Sequence, residues 1–163
     1  MIPSIRLRPM GAHDAEALLD LEHRPEVNRY QSYPPFDRTQ AETYAREAEE
    51  SWASGDNPAW QEFVIEADGA WAGRIGFEHA EGRATVWFAV LPAFQGRGIG
   101  RAALRELAKR LKVWQVREVW GYCDPENTPS ARLMASVGFE EQAREENGDR
   151  AFCFRLASQV SSP

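Results

Sequence analysis

The sequence predicts an α/β fold, a mixed and mostly antiparallel sheet with helices on both faces. Three observations lead there. Turn signals at Asp68-Gly69 and Glu81-Gly82 join three strand-like stretches into a meander. A strand, helix, strand unit follows over 84–123, which calls for a parallel crossover. Helical patterns stand before, within and after these strands, so both faces of a sheet can be covered. With 163 residues, 43% of them hydrophobic, the chain suits one globular domain, expected over 1–156 with a frayed tail at 157–163.

The elements follow in order. Ile5 to Arg8 reads as a first strand, stopped by Pro9. A helix is expected from about His13 to Glu22, with Ala17, Leu18 and Leu21 on one face. Residues 23–36 are irregular and rich in aromatics and prolines. Thr39-Gln40-Ala41-Glu42 reads as a capping box that opens a helix ending near Gly55. Strands are expected at Gln61 to Glu66, Trp71 to His79 and Ala84 to Leu91. Leu104, Leu107, Ala108 and Leu111 mark a helix that begins at a glycine-rich turn. Glu118 to Cys123 is a further strand. Thr128-Pro129 then reads as a cap followed by proline, and Gly138 as a helix stop. Two last strands, about 140–146 and 150–156, are expected to meet in a two-residue hairpin at Asn147-Gly148.

The bulk properties narrow the function. A net charge of −6 argues against nucleic acid as a partner, since no basic surplus is available to neutralise phosphates. No apolar run approaches a membrane span, and the first residues lack a basic and then apolar leader, so no membrane contact and a cytoplasmic location are expected. Cys123 and Cys153 read as buried thiols, and the scattered His13, His23 and His79 form no metal signature.

Gln95-Gly96-Arg97-Gly98-Ile99-Gly100-Arg101 follows a strand and opens a helix. The first amides of a helix are unpaired and carry partial positive charge, glycines let an anion come close, and the arginines add charge. These parts make a diphosphate cradle. The dinucleotide fingerprint would need glycine where Arg101 stands, and a Walker loop would need Lys-Ser/Thr, so neither nucleotide reading fits.

The turn does not stand alone. Gln95, Gly98 and Gly100, the preceding Trp87-Phe88-Ala89-Val90-Leu91-Pro92, and the later Asn127, Ser130, Leu133 and Gly138-Phe139 resemble the motifs of the GCN5-related N-acetyltransferase (GNAT) family. Together with Arg6-Leu7-Arg8-Pro9, they resemble its RimJ/RimL branch of ribosomal-protein alanine acetyltransferases, over roughly residues 5–156. The resemblance implies about seven mostly antiparallel strands with a splayed central pair, and about four helices. It implies an acetyl-coenzyme A site: the backbone of Phe88, Ala89 and Val90 on the pantetheine arm, Gln95 and the amides of Gly96, Arg97, Gly98, Ile99, Gly100 and Arg101 on the diphosphate, and Asn127 and Ser130 near the sulfur. No metal is implied.

The implied reaction is direct transfer of acetyl to a primary amine, in a protein N-terminus, a polyamine, an aminoglycoside or an amino-acid-like metabolite. Many family members carry a Tyr acid where Met134 stands. Ser130 is the candidate acid, or a cofactor contact alone. Glu78 is the candidate base, or a solvated strand-end charge. Tyr30, Tyr33, Phe36 and Trp87 are candidate acceptor contacts, or core-edge packing. The rival reading is an acyl-coenzyme A sensor or interaction module without turnover. Relatives often dimerise through the last strands, but the sequence itself specifies no oligomeric state.

Overall fold

Register and strand order place the functional end of the molecule, in a computed structural model that describes residues 3–55 and 58–156. The expected frayed tail lies outside the described residues. In chain order the elements are β1 (Ile5–Pro9), α1 (Ala15–Glu22), α2 (Pro25–Asn28), α3 (Arg38–Ala53), β2 (Trp60–Ala67), β3 (Ala70–Ala80), β4 (Arg83–Val90), α4 (Ile99–Lys112), β5 (Glu118–Cys123), α5 (Thr128–Val137), β6 (Glu140–Glu141) and β7 (Arg150–Arg155). One seven-stranded sheet runs β1-β2-β3-β4-β5-β7-β6. Among the described residues only β4 and β5 pair in parallel, because α4 carries the chain back between them.

The two faces carry separate cores. On one, α4 and α5 bury Leu104, Leu107, Leu111 and Met134 against Phe63, Ile65, Ile75, Phe77 and Val86 of the sheet. On the other, Leu18, Ala41 and Ala48 of α1 and α3 cover Val64, with Phe36, Tyr44 and Trp60 at the margin. Strand β2 is therefore buried on both faces, not half-solvated as its alternation suggests.

The tight turns follow their chemistry. Asp68 and Gly69 sit at φ 48° and 82°, and Glu81 and Gly82 at 54° and 80°, as two-residue hairpins require.

Four local expectations are corrected. Helix α3 is capped by Asp37, which exchanges bonds with Gln40, because a carboxylate two residues before Thr39 captures the free amides first. Helix α5 is capped by Asn127, whose side chain accepts from Ser130 N, leaving Thr128 and Pro129 inside the first turn. The stretch 23–36 contains the one-turn helix α2, opened by Pro25, so the described residues hold five α-helices. Strand β6 is two residues long, and the Asn147-Gly148 turn closes on itself through Gly148 N to Glu145 O and Glu145 N to Asp149 O. Acidic residues 145, 146 and 149 hold that loop in solvent rather than in a ladder.

A cleft where the parallel strands part

Strand β4 lies in the middle of the sheet, yet Trp87 to Val90 are all partly exposed. Register explains this. Pairing between β4 and β5 covers only Arg83–Thr85 against Glu118–Trp120. Beyond it β4 stays with β3 and β5 with β7, so the two strands part. The start of α4 follows the end of β4, and the start of α5 follows the end of β5, so both helix N-termini meet the split. Diverging parallel strands with helix starts at their carboxyl ends form a binding crevice.

The backbone sorts the residues of β4. Leu91 N donates to Ala72 O, and a Cβ on Gly73 would lie against the Ala89 carbonyl, so Ala89 faces β3. By alternation Phe88 and Val90 turn their main-chain groups toward the split. Of the three residues expected to pair with a pantetheine arm, Ala89 is therefore turned away. Gln95 is also reassigned: its side chain donates to Val90 O at 2.9 Å and its amide to Pro92 O, fixing the loop rather than facing an anion.

At the mouth of the split, Gly96 and Gly98 take φ 75° and 80°. A Cβ on either would meet nothing within 4 Å, so the space in front of them is open. Among the described residues, no amide from Gly96 to Arg101 has an acceptor in the protein. Ile99 and Gly100 contribute amides only. Ile99 is buried in the first core, and a Cβ on Gly100 would lie 2.5 Å from Leu133 Cδ1, so this glycine lets α4 approach α5. Arg101 donates to Ser136 Oγ at 3.1 Å, while Arg97 stays exposed over the Phe94 ring. A row of free amides, an unobstructed approach and one free guanidinium fit a diphosphate.

Met134 closes the floor of the split, for a Cβ on Gly121 would lie 2.5 Å from its Sδ and 3.8 Å from Val86. Ser130 is one helical turn nearer the mouth on the same face of α5, half-buried, and its hydroxyl has no partner among the described residues. Asn127 spends its side-chain oxygen on the cap.

Thr85 and Trp87 share a face of the sheet with Glu78, Trp120 and Tyr122, and Glu78, Thr85 and Trp120 form one cross-strand row. Glu78 is exposed there. Trp120 and Tyr122 stack at 6.2 Å, Arg83 lies 4.1 Å above the Trp120 ring, and its guanidinium donates to Tyr122 Oη. Beside them a groove of about 520 Å³ is lined by Tyr122, Glu145, Glu146, Asn147 and Asp149. A second hollow, of about 440 Å³, lies between α1 and the start of α3 and shares no residue with the split.

Behind Trp87 is a cluster that the sequence did not announce. Glu62 is fully buried, Glu22 is 1% exposed and Arg74 7%. Arg74 donates to Glu62 Oε1 at 2.8 Å and to Glu22 Oε1 at 3.3 Å. Trp87 Nε1 donates to Glu62 Oε2 at 2.7 Å, and Tyr33 Oη to Glu22 Oε1 at 3.2 Å. Burial pushes the Glu62 carboxyl above its ordinary range, with Arg74 and Trp87 pulling the other way. Burial also raises the phenols of Tyr33 and Tyr44.

Of the expected acceptor contacts, Tyr33 and Trp87 thus meet through Glu22, Arg74 and Glu62. Phe36 stacks on Tyr33 at 5.7 Å and on Tyr44 at 5.5 Å and belongs to the second core, while Tyr30 lies under Arg29. The missed residues carried one signal. Glu62 shares the parity of Val64, so once helices cover both faces a carboxylate there must be paired. Trp120 and Tyr122 carried the ordinary period-two pattern of a strand and nothing more.

Both cysteines are buried, and burial raises both thiols. Among the described residues no group of three His, Cys, Asp or Glu can hold a metal, and no helix is long and apolar enough to cross a membrane.

Comparison with known proteins places this architecture. A family model described as an acetyltransferase (GNAT) domain matches residues 4–140. The N-acetyltransferase p20 of Bacillus licheniformis is 27% identical over 143 residues, covering 85% of this chain and 80% of that protein. The spermidine N(1)-acetyltransferase of Escherichia coli K12 is 24% identical over 140 residues, covering 83% and 73%. Mycobacterium smegmatis RimJ in complex with CoA-disulfide superposes with a TM-score of 0.80 at 22% identity, covering 97% of this chain and 85% of that one.

Proposed function

The chain belongs to the acetyltransferase (GNAT) domain family, and we propose that it transfers acetyl from acetyl-coenzyme A to a primary amine bound on the Trp87–Trp120 face of the sheet. The observation that carries this is the split itself: a strand edge at Phe88 and Val90 leading to free amides at Gly96–Arg101. That edge suits an extended amide-bearing arm, and those amides suit its diphosphate. RimJ, which shares the fold, is described in complex with a coenzyme A disulfide.

The thioester supplies an acyl carbon; the amine nitrogen bonds to it, the carbon–sulfur bond breaks, and the sulfur takes a proton. This chain's part is positioning and proton handling. The main-chain amides of Phe88 or Val90, at the split, can donate to the carbonyl oxygen as it gains charge. Ser130, facing the split with a free hydroxyl, holds a proton for the sulfur. Glu78, exposed on the acceptor face, accepts the amine's proton, through water if the reach requires it. Met134 cannot substitute for either group.

The acidic wall of the 520 Å³ groove, Glu145, Glu146 and Asp149 beside Tyr122, favours an acceptor that is a small cation over a neutral molecule. A polyamine fits that description, as does the substrate in the name of the Escherichia coli relative.

Calorimetry with acetyl-coenzyme A, followed by thiol release with spermidine, n-butylamine, kanamycin and an Ala-initial hexapeptide, tests the reading. Micromolar cofactor binding with turnover favouring the polycations, spermidine and kanamycin, over n-butylamine supports it. Binding without turnover of any amine makes the protein a sensor, and absence of binding removes the reading altogether. Within an active enzyme, Glu78→Gln and Ser130→Ala should each lower kcat by about 10²-fold if they move protons. Unchanged kcat in either reassigns that residue.

A further inference from the structure

Glu62 and Trp87 stand on strands that are not neighbours. Strand β3 runs between them, and the residue beneath their hydrogen bond is Gly76, paired with Glu62 on one side and Trp87 on the other. A Cβ at Gly76 would lie 2.5 Å from Trp87 Nε1 and closer still to Glu62 Oε2. The bond exists because that strand residue has no side chain. Glycine in the middle of a strand weakens it, so the position marks a close approach rather than a turn. Gly76 has no positive φ that would otherwise require it.

We propose that Glu62, locked by Arg74 and reaching over Gly76, is a positioning residue that fixes the acceptor wall of the enzyme. The proposal rests on the acceptor binding at Trp87, as argued above. Glu62 is no general base: both its oxygens are taken, one by Arg74 and one by Trp87, and it is fully buried. What it controls is the indole. With Nε1 bonded inward, Trp87 offers the acceptor its ring without a donor, so recognition there is by the π-system and not by hydrogen bonding. The same guanidinium reaches Glu22, which accepts from Tyr33. Trp87 on β4 and Tyr33 on the 23–36 segment are thereby set by one buried cation. Gln at 62 would keep the reach but offer one acceptor to two donors, Arg74 and Trp87, whereas Asp would keep both acceptors and fall short of the indole.

Glu62→Asp and Gly76→Ala separate positioning from folding. The Trp87 indole N–H resonance is assigned by its loss in Trp87→Phe, and it should move in both variants toward the value of an indole bonded to water. With spermidine as probe, acceptor KM should rise about tenfold in both while the Kd for acetyl-coenzyme A stays within about twofold. An unmoved indole resonance in Glu62→Asp overturns the proposal, as does an equal loss of acetyl-coenzyme A affinity. Should the wild-type protein turn over no amine, the functional reading fails, while the indole resonance still decides whether Glu62 holds Trp87.

Discussion

The two halves of the cleft are built in opposite ways. The glycine-turn side is main chain: free amides from Gly96 to Arg101, contiguous in sequence and shaped by glycines at positive φ. The Trp87 side, where we propose the acceptor binds, is side chain: Glu22, Tyr33, Glu62, Arg74 and Trp87, drawn from a helix, a loop and three strands. A main-chain site tolerates change in its side chains but not in its backbone angles. A side-chain cluster behaves in reverse, since each member is buried at the cost of desolvation and depends on its partners.

Arg74→Met breaks the comparison hardest. It leaves Glu22 and Glu62 buried without a counter-charge, and losing one partner of such a cluster costs about 3–5 kcal/mol. Urea unfolding should show that loss, whereas a change below about 1 kcal/mol would mean that Arg74 does not hold the cluster together.

Gly98→Val should act on the other half alone. A β-branched residue resists φ 80°, and its side chain enters the open space before the helix. Calorimetry should record an acetyl-coenzyme A Kd about tenfold weaker, about 1.4 kcal/mol. The Trp87 indole resonance should not move. A shift in it would show that the two halves are coupled.

The smallest effect sharpens the contrast between buried carboxylates. Asp14 is buried as deeply as Glu22, but Arg8 donates to both its oxygens and the Gly11 amide adds a third bond. Burial pushes its carboxyl up, yet Arg8, through hydrogen bonds and charge, and the Gly11 amide outweigh it and hold Asp14 below its ordinary value of 3.8. A depressed folded value contributes stability that is complete above the unfolded value and disappears as pH falls through the folded one. Thermal unfolding between about pH 5 and pH 2 should therefore fall more steeply in wild type than in Asp14→Asn. Parallel curves would remove Asp14 from the account.

Legibility divided along the same line. Gly98 before α4, Gly138 after α5 and the Asp68-Gly69 hairpin were readable, because each states a need of its own backbone. Capping was readable in kind but misplaced, at Thr39 for Asp37 and Thr128 for Asn127, since neighbouring polar residues compete for the same amides. Glu62 passed for the polar side of an ordinary strand. Only helix α3 over that face turns a solvated position into a buried one.

The sequence by itself determined most of the order of elements, the glycine-rich turn before α4 and the family's motifs, because short-range sterics and helix-end amides act between residues close along the chain. Only the tertiary structure decided where β4 and β5 part, that Ala89 turns from the cleft while the Gln95 side chain is spent on Val90 O, and that Glu62 meets Trp87 over Gly76. Those outcomes rest on strand register and on burial from both faces, and neither is a property of any local stretch.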